Sequence, residues 1–246
     1  MDMPVNSRIK SGLGGFLASA LLFSGIAQAT VDIAQAPLFI NSSVPPLNML
    51  VMGRDHKLYY EAYNDVSDLD GDGHLEVRFK PSITYYGYFD SGKCYAYSSD
   101  NGRFEPRGQA STNNTCPDEA NGAWSGNFLN YITTSRIDAM RKVLYGGKRS
   151  TDTRTESSAG VTVLERSHIP QDGHSWGKEY ASVAVDGYDI ASYTPLSLPS
   201  SGTRHLFANT SLTSAADTPL MRVLINSQFR IWDWVSKERP VADTTC

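Results

Sequence analysis

Residues 125–145 read SGNFLNYITTSRIDAMRKVLY, and this stretch sets the fold class. Phe128, Leu129, Ile132, Ile137, Met140, Val143 and Leu144 recur mostly three and four residues apart, which lines them along one side of a helix. Ser125 can accept from the first free amides, Arg141 and Lys142 suit the negative end of the helix dipole, and Gly146-Gly147 can end the helix. The spacing predicts one long helix over 125–145 with its apolar face laid on a sheet.

Candidates for that sheet lie on both sides of the helix. Leu47 to Met52, a short apolar run between Pro45-Pro46 and Gly53, reads as a buried strand. Lys57 to Tyr63, the alternating Leu75 to Phe79, and Cys94 to Tyr97 read as further strands upstream. Downstream, Val161 to Glu165, Arg204 to Phe207 and Met221 to Ile225 read the same way, and Gln228 to Lys237 as a short Trp-bearing helix. Thr151 to Gly160 is a polar linker or loop. The expected fold is mixed α/β, with a central β-sheet, at least one long packed helix and long loop insertions.

The N-terminus has a different character. Arg8 and Lys10 precede an uncharged run from Ser11 to Ile26 and then Ala27-Gln28-Ala29, the three parts of a signal peptide over 1–29. The run is shorter than the roughly 20 residues that a membrane span needs, so cleavage after Ala29 is expected and the mature chain has no span. With 22 basic and 26 acidic residues the formal net charge is −4, which gives no electrostatic reason to bind nucleic acid.

In an oxidising compartment the cysteines pair. Cys94 and Cys116 flank a polar stretch with almost no apolar residues, and a disulfide there would restrict the unfolded loop by about 3 kcal/mol in the chain-entropy model. Cys246 is then left over, which predicts a partner beyond this sequence and a longer parent protein.

The chemistry is concentrated in Asp68-Leu69-Asp70-Gly71-Asp72-Gly73-His74-Leu75-Glu76. Calcium takes six to eight oxygens, and carboxylates two residues apart in a tight loop can reach one ion without colliding. Asp68, Asp70, Asp72 and Glu76 are the expected side-chain ligands, His74 gives its backbone carbonyl, Gly73 supplies the turn and Leu75 anchors the loop in the core. The twelfth position, where an EF-hand has a bidentate Glu, is Phe79, so the loop is a nine-residue type followed by a strand. Its expected role is structural. No comparable pattern points to catalysis: there is no Gly-x-Ser-x-Gly elbow, phosphate-cradling glycine loop or Cys-x-x-Cys, and His168, Asp172, His174 and Glu179 have no metal or triad spacing. The tyrosines and Trp124, Trp176, Trp232 and Trp234 could line a contact surface, although core packing explains most of them.

Ala36-Pro37-Leu38-Phe39, Val44-Pro45-Pro46 leading into Asn48 to Met52, Trp124 to Tyr131, Ser135 to Gly147 and Arg230 to Pro240 together resemble the N-terminal region of the PilC/PilY family. These are large exported proteins associated with the tips and assembly of type IV pili. The resemblance implies a periplasmic, outer-surface or pilus-tip protein with minor pilins and a host or surface receptor as partners, acting by binding. It also implies a von Willebrand factor A-like fold in degenerate form: Gly53-Arg54-Asp55-His56-Lys57 follows the first strand without the serines of the Asp-x-Ser-x-Ser metal site, which is therefore not carried over. The family's β-propeller has no room here, in keeping with a truncated chain. The competing readings are a generic secreted, calcium-stabilised surface- or carbohydrate-binding module and a secreted hydrolase using Asp172, His174 and Glu179.

Overall fold

A computed structural model describes residues 49–53, 55–63, 66–116, 122–169, 174–209 and 219–230. The chain divides into two units, Met1–Met52 and Gly53–Cys246. Of the first, only Met49 to Met52 is described; it is exposed and without regular structure, so the buried strand expected over 47–52 does not form there. A short apolar run needs a neighbouring strand to satisfy its backbone, and none among the described residues pairs with it. The signal-peptide region, Asp172, Trp232, Trp234, Cys246 and the second half of the Trp-bearing helix lie outside the described residues.

The second unit is mixed α/β. Strands β1 (Lys93–Ser98), β2 (Arg103–Gln109) and β3 (Trp124–Ser125) form one antiparallel sheet in the order β2-β1-β3. Strands β4 (Arg149–Asp152) and β5 (Thr162–Leu164) form a hairpin, and β6 (Gly177–Tyr180), β7 (Arg204–Ala208) and β8 (Arg222–Ser227) a third antiparallel sheet in that order. A central sheet was expected; three small ones are found among the described residues. The reason is local, because β1–β2, β4–β5, β6–β7 and β7–β8 all pair with a sequence neighbour. Since every one of these pairings is antiparallel, von Willebrand factor A-like layering has no counterpart among them.

The expected single helix is two. Helix α1 spans Gly126–Thr133 and α2 spans Arg136–Tyr145. Thr134 and Ser135 between them are extended, with ψ of 119° and 160°. They turn the chain out to meet residues 60–62: the Thr134 carbonyl accepts from the Ala62 amide at 2.9 Å, and the Arg136 amide donates to the Tyr60 carbonyl at 3.0 Å. Ser135 then caps α2 by accepting from the Asp138 amide. Every residue of α1 is buried, whereas α2 buries only Ile137 and Asp138 and leaves Val143 and Leu144 exposed. Lys57 to Tyr63, expected as a strand, begins instead as a 3-10 turn over His56–Tyr59 capped by Asp55.

The core is aromatic. Phe79 stands 5.1–5.4 Å from the rings of Tyr85, Phe128, Tyr131, Tyr188 and Tyr193, mostly edge to face or tilted. Each buried ring contributes about 2–3 kcal/mol of apolar burial, which is what gathers the chain between 79 and 207 around α1. Polar groups on α1 are matched to backbone. Asn127 accepts from the Tyr85 amide at 2.8 Å and donates to the Ile83 carbonyl at 2.8 Å; Asn130 accepts from the Phe89 amide and donates to the carbonyls of Tyr85 and Phe89 at 2.9–3.0 Å.

Candidate metal centre

Residues 68–75 form a loop closed at its base, where the Glu76 amide donates to the Ser67 carbonyl at 3.0 Å. Asp68 organises the turn: its carboxylate accepts from the amides of Gly71, Asp72 and Gly73 at 2.6–3.1 Å. Gly71 and Gly73 have φ of +77° and +87°, a left-handed backbone that other residues adopt at a cost. The Asp72 carboxylate accepts from the His74 amide at 2.8 Å, and Glu76 from the Leu69 amide. Folded in this way, Asp68, Asp70, Asp72 and Glu76 each offer an oxygen within 4.8 Å of the others. Opposed oxygens in a calcium shell are about 4.6–5.2 Å apart, given calcium–oxygen distances of 2.3–2.6 Å, so this donor set fits one calcium ion.

The chain after the loop does not continue as the expected strand. Leu75 and Val77 are exposed and Glu76 is buried, the reverse of an apolar-in alternation, and Leu75 therefore does not anchor the loop in the core. Phe79 does that instead. Arg78 adds a second attachment, pairing at 2.7 Å with the buried Asp186, whose other oxygen accepts from the amides of Ala181 and Ser182 ahead of the short helix α3 (Val183–Asp186). The position where an EF-hand would place its bidentate Glu is thus occupied by the hub of the aromatic core.

Lys80 completes the site, and sequence reasoning missed it. Its ammonium lies 2.6 Å from Asp70, 3.1 Å from Asp72 and 3.3 Å from Glu76. These contacts raise the Lys80 pKa, Asp70 contributing most. The Asp72 carboxyl is held below its ordinary value, first by the His74 amide and then by Lys80. No local pattern marks it, because residues 76–80 are not helical and a four-residue spacing brings side chains together only on a helix.

The remaining candidate residues are scattered. Cys94 and Cys116 are disulfide-bonded with α-carbons 5.7 Å apart, and the Cys116 amide donates to the Ser192 carbonyl at 2.7 Å. The His174 ring sits 5.8–6.3 Å from the rings of His56, Tyr59 and Tyr60, while Glu179 pairs with Arg204 at 3.3 Å. Trp124 belongs to the aromatic core, and the Trp176 indole N–H donates to the Tyr59 carbonyl at 3.1 Å. No helix among the described residues is long and apolar enough to cross a membrane.

Residues 76–230 match the family model described as PilY1 homolog, small alpha/beta domain. That span includes Glu76 and Lys80 but not Asp68, Asp70 or Asp72. Two curated proteins of Xylella fastidiosa strain Temecula1, both named type IV pilus biogenesis factor PilY1 homolog, are similar to the chain. One is 58% identical over 199 residues, covering 80% of this chain and 13% of that protein. The other is 33% identical over 161 residues, covering 62% and 12%. The chain therefore spans about an eighth of the length of these relatives. No solved structure matches it.

Proposed function

The chain belongs to the PilY1-homologue family, and from that premise we propose that it is part of an exported type IV pilus assembly or tip protein that acts by binding rather than catalysis. In this reading residues 1–29 are a signal peptide, residues 30–246 form an N-terminal domain of a longer protein, and the partners are minor pilins and a host or surface receptor. The observation that carries it is the 58% identity over 80% of the chain to a pilus biogenesis factor. In-frame deletion of the region encoding residues 30–246 should lower surface pili, measured as sheared pilin, and surface attachment. Wild-type levels of both would overturn the pilus reading.

Within that domain the acidic loop is a calcium site of structural role. Asp68, Asp70, Asp72 and Glu76 would hold the ion with their carboxylates, and His74 with its backbone carbonyl. The ion supplies charge neutralisation and cross-links the base of the loop to the segment that ends at Phe79. The mutual spacing of the four carboxylates supports it. Calcium at about 100 times its dissociation constant contributes about 2.7 kcal/mol, which for a domain of this size is a rise of roughly 5–10 °C in Tm. Scanning fluorimetry with calcium and with a chelator should show that difference in the wild type and not in Asp70→Ala. Identical midpoints in the wild type would remove the calcium assignment while leaving the pilus reading in place.

A further inference from the structure

A cleft of about 1300 Å³ opens between the β1–β2 ribbon, the β4–β5 hairpin and the residues that lead into β8. The acidic loop contributes nothing to its lining. Its volume exceeds the roughly 300–1,000 Å³ of a pocket for one small molecule, so it has room for several linked units. The ribbon side is aromatic: Tyr97, 52% exposed, meets Phe104 edge to face at 5.4 Å, and Phe104 meets Trp124 at 6.1 Å. The hairpin adds the hydroxyls of Thr151 and Thr162.

Most charged groups in the lining are already paired. Arg103 bonds to Glu105 at 3.0 Å, Glu165 to Lys148, and Asp138 to Arg141 at 3.6 Å. Arg166 is different. It donates to the carbonyl of Ser167 at 3.4 Å and to that of Leu220, and no carboxylate of a described residue forms an ion pair with it. Burial pushes its pKa down to about 10, so it stays charged at neutral pH, and the nearby Asp138 offsets only part of the cost of taking that charge out of water. A guanidinium carries five N–H groups in a planar fork that matches a carboxylate, and neutral carbonyls occupy two of these.

We propose that the cleft binds an acidic saccharide, with sugar rings against Tyr97 and Phe104 and a carboxylate on the fork of Arg166. A sugar ring has an apolar C–H face for the aromatic wall and a rim of hydroxyls for Thr151 and Thr162. An added peptide strand fits less well, because β2 is an edge strand that carries Pro106, and proline hinders strand addition. This inference rests on the reading of the chain as a binding protein and gives that role a ligand class; it depends on neither the calcium site nor the pilus assignment.

The test is binding of the purified chain to immobilised uronic-acid and sialic-acid oligosaccharides, to their neutral carboxyl-reduced counterparts and to a triglutamate peptide. The strongest binder is then titrated calorimetrically. Binding should be confined to the acidic saccharides. Arg166→Gln should weaken it by about tenfold or more, and Tyr97→Ala, which truncates a half-exposed ring at the mouth of the cleft, by about three- to tenfold. Circular dichroism establishes that each variant is folded, and if Arg166→Gln is not, Tyr97→Ala still decides. Equal binding of acidic and reduced saccharides would remove the role of Arg166, and triglutamate binding as tightly would show that the cleft reads charge alone; either overturns the proposal. Binding by none of the probes, or unchanged affinity in Tyr97→Ala, overturns it as well and leaves the pilus reading, which is tested by deletion, in place.

Discussion

Asn127 and Asn130, three residues apart on α1, hold the irregular backbone of residues 83–89 against the core through five hydrogen bonds. Both are fully buried, so no water replaces a lost partner. Asn130→Ala leaves the Phe89 amide and the carbonyls of Tyr85 and Phe89 short of partners, and it should cost about 3 kcal/mol in urea unfolding. A loss below about 1 kcal/mol would mean that the segment finds other partners. This role is not legible in the sequence, where polar residues inside a helical stretch read as a solvent face. Asp68, Asp70 and Asp72 are legible for the opposite reason: their convergence is set by neighbouring backbone, within a few residues. Lys80 falls between these cases, because its place in the cluster depends on Phe79 being fixed in a core that forms elsewhere in the chain.

The break between α1 and α2 is decided by Ser135, whose hydroxyl accepts from the Asp138 amide and donates to the Asp138 carboxylate at 2.7 Å. Serine followed three residues later by an acid is a helix-start signal, so Ser135-Arg136-Ile137-Asp138 marks the second helix in the sequence. The apolar spacing ran straight across it and hid it. Ser135→Ala should cost about 1–2 kcal/mol, a fall of roughly 2–8 °C in Tm, with no gain of helical circular dichroism. A rise in helix content would show that the two helices can fuse. The strands β1, β5, β7 and β8 were readable because their short apolar or aromatic runs pair with near neighbours. Leu75 to Phe79 was misread because Glu76 turns inward to the loop, and an alternating pattern cannot tell which of its two faces will be buried.

For the whole molecule, the α/β class is legible in the mixture of periods, but the arrangement is not: a composition of short strands does not say whether they join one sheet or three. The disulfide is a second feature that the chain announces, through two cysteines around a polar loop. Replacing both Cys94 and Cys116 by Ala should cost about 3 kcal/mol from loop closure alone, a fall of roughly 6–12 °C measured by scanning calorimetry. An unchanged midpoint would mean that the Cys116–Ser192 backbone contact already holds the loop. The hub at Phe79 has a consequence for biosynthesis. Its ring meets Phe128 and Tyr131 from one part of the chain and Tyr188 and Tyr193 from a much later part, and Phe207 closes the same core later still. A ribosome that has delivered only the first 170 residues has delivered helix α1 and half of its wrapping. Until the remainder arrives, the nascent chain carries a row of unprotected aromatic rings that a chaperone can hold.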